Sequence, residues 1–160
     1  MTTPASTATV GRVEQRLAAW AGHATSVLDR AGHRGGRARY AVIELLSRQE
    51  CCLSATDIFD ALRAENRRVG LASVYRALDR LSALRLVHRH DFGDVARFEP
   101  LLPDGEHHHH AVCGACGKVE PFADRHLESA LDRLGDELGY AVAGHDVLLR
   151  GSCTECRSHD

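Results

Sequence analysis

The 160-residue chain has no run of 18 apolar residues, which excludes a membrane-spanning helix. Its first ten residues, MTTPASTATV, lack the basic and apolar regions of a secretory signal, so they read as a disordered tail and the expected location is cytoplasmic. There are no internal repeats. Neither a His-Glu-x-x-His pair nor a nucleophile elbow occurs. A zinc-dependent hydrolase, with His and Glu holding a metal that keeps an open position, therefore stands only as the alternative from another class. No small organic substrate is implied, and the chain is not expected to be an enzyme.

Cysteine and histidine, by contrast, are abundant. Six cysteines in a reducing compartment point to metal binding or redox work rather than to a disulfide framework. Seven of the eleven histidines follow residue 90, which favours metal. The net charge of −2 hides a division: residues 1–90 carry 14 arginines against 8 acidic residues, a net +6, and residues 91–160 carry 6 basic against 14 acidic, a net −8. A basic half joined to an acidic half suggests that only the first meets a polyanion, although two differently solvated domains would show the same split.

The apolar spacing orders the elements. Val13, Leu17, Trp20, Val27 and Ala31 mark a first helix ending at Gly32, followed by the basic, glycine-rich turn 33–37. A second helix presents Val42, Leu45 and Leu46. Ser54 with Asp57 forms a capping box for a third, with Ile58, Phe59 and Leu62 inward. A fourth helix, 72–83, buries Val74, Leu78 and Leu81 and shows Ser73, Arg76, Ala77 and Arg80 on its other face. Strand-like runs at 86–90 and 95–99 around Asp91-Phe92-Gly93-Asp94 complete the pattern of a winged helix-turn-helix. The fourth helix, with Tyr75, Arg76 and Arg80 near the basic turn, is the candidate recognition helix.

The prolines and glycine of 100–106 read as a linker. Beyond it the expected elements are a strand at 107–113, a cysteine knuckle, a short strand at 118–122, a helix at 124–139 striped with Leu127, Leu131, Leu134 and Leu138, and a strand at 142–150. The fold class is α+β. The expected organisation is a tail (1–11), a winged-helix DNA-binding domain (12–99), a linker (100–106) and a C-terminal α/β metal-binding domain (107–160).

Cys113-x-x-Cys116 and Cys153-x-x-Cys156 offer four thiolates, the ligand set of a structural zinc site, with redox or unpaired thiols as the other reading. In the run His107–His110, a strand would turn His107 and His109 to one site and His108 and His110 to another. Neutral imidazole suits Zn, Fe, Ni or Cu. The bland reading is a solvated histidine run.

From about Val27 to Cys156 these residues resemble the ferric uptake regulator (Fur) family. The resemblance rests on Gly70-Leu-Ala-Ser-Val-Tyr-Arg-Ala-Leu78, Phe98-Glu99, the histidine run, Cys113-Gly-Ala-Cys-Gly-Lys-Val119, and Gly144-His145 ahead of Gly151-Ser-Cys153. It implies a homodimeric, metal-dependent repressor on a palindromic double-stranded operator, controlling metal-uptake or metal-homeostasis genes. It implies structural Zn(II) at Cys113, Cys116, Cys153 and Cys156. A regulatory site between the domains would use Cys52, Glu99, His108 and His110, and a further site would use His107, His109, Glu128 and His145. DNA contacts would fall to Ser73, Tyr75 and Arg76, with Arg34 on the backbone or in the minor groove. Cys52 stands where iron-sensing members have a histidine, and His109 where many have an aspartate. The thiolate favours Zn(II) over Fe(II) at the regulatory site, unless Cys52 is a buried small apolar residue. Asp124, where peroxide-sensing members supply a ligand, keeps a peroxide sensor of the same fold as an alternative. The basic turn lacks the proline common before the second helix.

Overall fold

A computed structural model describes residues 7–33, 36–49, 51–93, 95–102 and 108–157, with side chains from Glu14 onward. Arg34 and His107 lie outside the described residues. The chain divides into two compact units, Met1–Glu106 and His107–Asp160.

The first unit opens with helix α1 (Thr7–Arg30). It begins inside the segment 1–11 expected to be a tail. Gly11 costs about 1 kcal/mol and the β-branched Thr7, Thr9 and Val10 some tenths each, but extending an existing helix adds a hydrogen bond per residue. The helix closes on Gly32 at φ 76°, with His33 N–H donating to Leu28 O and Gly32 N–H to Asp29 O. Helix α2 (Arg37–Leu46) and the two-residue strand β1 (Leu53–Ser54) follow. At α3 (Ala55–Ala64) the capping box is complete: Ser54 Oγ accepts from Asp57 N–H, and Asp57 Oδ2 accepts from Ser54 N–H. Next come α4 (Leu71–Ala83), β2 (Val87–Asp91) and β3 (Ala96–Pro100). The sheet order is β1-β3-β2, all antiparallel, with Leu53 opposite Phe98 and His88 opposite Glu99.

This is a winged helix. Trp20, Leu28, Val42, Leu46, Ile58, Leu62, Val74, Leu78 and Leu81 meet in one apolar core. Trp20 Nε1 donates to Leu86 O at 2.7 Å in that core, fastening α1 to the start of the wing. Three expectations need correction. Ala77 is buried rather than on the open face of α4, because its small side chain lets α4 approach its neighbours. Phe59 is only partly buried at the edge of the core. Pro100, expected to open the linker, ends β3 opposite Val87; a proline lacking its N–H is tolerated at a strand end.

The second unit contains β4 (His109–Cys113), β5 (Val119–Phe122), α5 (Arg125–Leu138), β6 (Leu148–Gly151) and the short α6 (Thr154–Arg157). Its sheet order is β5-β4-β6, with β4 antiparallel to β5 and parallel to β6. A parallel pair needs a crossover, and β5 with α5 supplies it. The final strand is confined to 148–151 instead of 142–150, because residues up to Asp146 are spent returning from the Gly139 cap (φ 73°). On α5, Leu134 and Leu138 face outward at 48% and 64% exposure, and Gly135 is the buried residue. The leucine stripe thus does not close a core within this unit.

Candidate metal centres and nucleic-acid interface

The parallel β4–β6 register sets Cys113 opposite Gly151, which carries Cys153 to the first knuckle. That knuckle turns at Gly117 (φ 74°), with Gly117 N–H donating to Cys113 O. The Sγ atoms of Cys113, Cys116, Cys153 and Cys156 all lie within 4.8 Å of one another, and no disulfide joins them. Cys153 N–H donates to Cys113 Sγ at 3.3 Å. That bond, with further backbone donation from Cys116, lowers the Cys113 thiol to about 6. Cys156 is pushed up to about 12 by the thiols of Cys153, Cys116 and Cys113. Cys113 is thus readily a thiolate while Cys116 and Cys156 are pushed towards the thiol, an arrangement that a divalent cation resolves. The residues fit structural zinc.

In the same unit His109, Glu128 and His145 converge. Glu128 offers Oε1 to His109 Nε2 at 2.8 Å and Oε2 to His145 Nε2 at 2.9 Å. Val147 N–H donates to His109 Nδ1 at 3.4 Å, which directs Nε2 at the carboxylate. His109 is 1% exposed. Two imidazoles and a carboxylate with their ligand atoms within 4.8 Å of one another suit a divalent transition metal. His108 and His110 form a separate pair, ring centroids 4.9 Å apart.

In the first unit, Leu53 pairs with Phe98, so the antiparallel register sets Cys52, one residue beyond the ladder, across from Glu99. Both are buried, at 1% and 6% exposure. Contact with the Cys51 thiol (Sγ–Sγ 3.8 Å), burial and the Glu99 charge push the Cys52 thiol far up, which keeps it protonated. On the other side of β3, His88 and His90 of β2 also meet Glu99. The sequence reading did not single them out, although His88-x-His90 in a strand-like run places both on one face.

Asp124 is the N-cap of α5: its Oδ1 accepts from His126 and Leu127 N–H at 2.8 and 3.0 Å. Those bonds lower its carboxyl below the usual range.

On α4, Tyr75 is 48% exposed, and Arg76 Nη2 donates to Ser73 Oγ at 2.9 Å. Arg39, Ser73, Arg76 and Arg80 line a groove between α2 and α4, with Asp79 as its acidic member. Such a guanidinium-rich groove beside an exposed helix suits phosphate and base-edge contacts. Among the described residues, no helix is long and apolar enough to cross a membrane.

Comparison with known proteins agrees with this architecture. Residues 30–150 match the model of the Ferric uptake regulator family. The ferric uptake regulation protein of Neisseria gonorrhoeae is 31% identical over 121 residues, 75% of this chain and 83% of that protein. Its counterpart in Legionella pneumophila is 39% identical over 106 residues, 66% of this chain and 76% of that protein. The Vibrio cholerae ferric uptake regulator superposes with a TM-score of 0.72 at 30% identity, covering 80% of this chain and 98% of that one. The Helicobacter pylori regulator Fur, reported with three functional metal-binding sites, gives 0.76 at 25% identity, covering 88% and 93%. The chain belongs to the ferric uptake regulator family of metal-responsive, DNA-binding transcriptional regulators, which are not enzymes.

Proposed function

We propose that the protein is a metal-dependent repressor that binds a palindromic operator as a homodimer in the cytoplasm and controls metal-uptake or metal-homeostasis genes in response to Zn(II) or Fe(II). The observation that carries this reading is the distribution of ligand-type side chains. Cys52 and Glu99 face each other across β1 and β3 in the winged-helix unit, and His108 and His110 stand at the start of the second unit.

An ion held by all four would tie the units together, and so bias the angle at which two recognition helices meet successive half-sites. The cation supplies charge and directed coordination; the chain supplies the two-unit lever. Only differential affinity for the DNA-competent arrangement turns binding into repression. His109, Glu128 and His145, joined by His107, form a second site inside one unit, and Cys113, Cys116, Cys153 and Cys156 hold structural zinc. The thiolate that Cys52 would present once a cation displaces its proton is a soft ligand, which favours zinc, with iron next. Ser73, Tyr75 and Arg76 read the operator, and Arg34 adds a backbone or minor-groove contact. The exposed Leu134, Leu138, Tyr140, Val142 and Leu149 support a homodimer built on α5 and its flanking segments.

Gel shifts of the purified protein with zinc, iron and manganese side by side test the reading. Cys52→Ala should raise the zinc concentration needed for DNA binding while leaving the structural zinc in place, and Cys52→His should move the preference towards iron. An equal zinc response in the parent and Cys52→Ala would remove the thiolate from the site and put iron first.

A further inference from the structure

One thiol belongs to none of the proposed sites. Cys51 stands beside Cys52 and is half-buried, where Cys52 is 1% exposed. Their Sγ atoms are 3.8 Å apart, with no disulfide between them. The other four cysteines form the separate set in the second unit.

That separation selects among the things two thiols can do. A disulfide needs sulfurs about 2.0 Å apart and Cα atoms about 4.4–6.8 Å apart, whereas successive Cα atoms are only about 3.8 Å apart, so direct oxidation would strain the chain. A single atom bonded to both sulfurs meets no such obstacle. With bonds as long as a zinc–thiolate bond, about 2.3 Å, and an angle of about 90–110°, it spans sulfurs about 3.3–3.8 Å apart. The backbone beside the pair is also held. Arg97 Nη1 donates to Cys52 O at 3.4 Å and to Asp57 Oδ2 at 3.1 Å, and the same Asp57 oxygen accepts from Ser54 N–H. Little ordering is left to complete when the pair closes on a ligand.

Coordination number and burial then set the chemical class. A tetrahedral divalent ion on these two sulfurs would still lack two ligands, and it would have to shed its water to reach Cys52. Arsenous acid is neutral, so it brings no charge to desolvate. Its three-coordinate arsenic is satisfied by two sulfurs and one further oxygen or carbon.

We propose that Cys51 and Cys52 form a binding site for trivalent arsenic, taken as arsenous acid or as a monosubstituted arsenical. Each Sγ–H bond is exchanged for an Sγ–As bond, two As–O bonds break, and the two protons leave with those oxygens as water; no electron is transferred. Cys51, the more exposed thiol, makes the first bond. The second then closes within the chain, at an effective concentration that a separate thiol does not match. The inference goes beyond the proposed function and does not depend on it, since Cys51 belongs to no proposed metal site.

Treating the full-length protein, its four-cysteine site kept loaded with zinc, with phenylarsine oxide or with arsenite tests the site. Bound arsenic is read by elemental analysis and located by peptide mass spectrometry. One arsenic per chain is expected, on the peptide that carries Cys51 and Cys52. Cys51→Ser should raise the arsenical concentration for half-saturation about a hundredfold or more. Arsenic bound by that variant as tightly as by the parent, or found on the peptides of the four-cysteine set instead, overturns the proposal. In the unsubstituted protein the arsenical should block alkylation of Cys51 by iodoacetamide, and a vicinal dithiol should reverse the block where a monothiol at equal concentration does not. A Cys51 that stays open to alkylation overturns the proposal equally, so the test stands even if the variant folds poorly. Blocking by both probes assigns the inorganic acid as a ligand, and blocking by phenylarsine oxide alone assigns monosubstituted arsenicals. An unaltered zinc response in Cys52→Ala would remove Cys52 from the hinge site without touching the arsenic adduct of the parent, so the two readings fail separately.

Discussion

In the winged-helix unit, Trp20, Leu28, Leu46, Ile58, Leu62, Leu78 and Leu81 are all at most 1% exposed and belong to one cluster. In the second unit the buried members among the described residues are His109, His110, Cys113 and Gly135. The first unit rests on removing apolar surface from water, at roughly 25 cal/mol per Å². The second has too little apolar interior for that and presents ligands instead, while Leu134, Leu138 and Leu149 face outward. One unit folds on its own chemistry; the other is completed by a cation and, on the proposed reading, by a second copy.

The largest effect expected is the loss of the second unit on Cys153→Ser or on exhaustive chelation, because structural zinc supplies about 10–16 kcal/mol of apparent folding free energy in small zinc domains. Hydrogen exchange read by peptide should show residues 108–157 unprotected and the α2–α4 core unchanged. Retained protection in the second unit would mean that it has a metal-independent core after all.

Trp20→Ala should strike the other way. It empties a fully buried site and leaves Leu86 O without its 2.7 Å donor. A loss of about 3–5 kcal/mol is expected in the transition of the first unit. Thermal melts with zinc retained should resolve it, and the contrast between the units fails if both transitions move together.

Gly135→Ala sharpens the comparison on a smaller scale. Helix propensity alone favours alanine by about 1 kcal/mol. A Cβ at this position, however, would come within 2.5 Å of Val142 Cγ2. A net cost of about 1–3 kcal/mol is expected from overpacking. Val142→Ala in the same chain should restore most of it, and an unaltered melting temperature in the single variant would show that the Val142 segment moves aside freely.

Arg76→Ala has the smallest expected effect on stability, since the side chain is exposed and, among the described residues, donates to Ser73. It should leave both transitions in place and weaken operator binding by about 1–3 kcal/mol. Fluorescence anisotropy on the operator and on unrelated DNA would check it; equal operator affinity in the parent and the variant would reorient the DNA face.

Much of this was legible in the chain because it rests on local chemistry. The Ser54–Asp57 capping box, the Gly32 and Gly139 helix ends, the apolar face of α4 and the two cysteine knuckles depend on spacings of a few residues, and both helix and strand periods can be counted along the sequence. The two-residue period of a strand also separates His109 from the His108–His110 pair before any coordinates exist. Extents were less legible: α1 begins at Thr7 and β6 shrinks to four residues, because cooperative extension and the return from a cap are not signalled by single residues.

Sequence alone therefore determined which residues are competent ligands, which helix carries the basic exposed face, and that two elements of unlike charge follow one another. Tertiary structure decided which competent residues meet. The β4–β6 register brings cysteines 37 residues apart to a 3.8 Å contact. The β2–β3 register puts two histidines on one buried glutamate, and Asp124 becomes a helix cap. Register is fixed by the pairing of whole strands, a long-range property that the spacing of neighbouring residues does not carry.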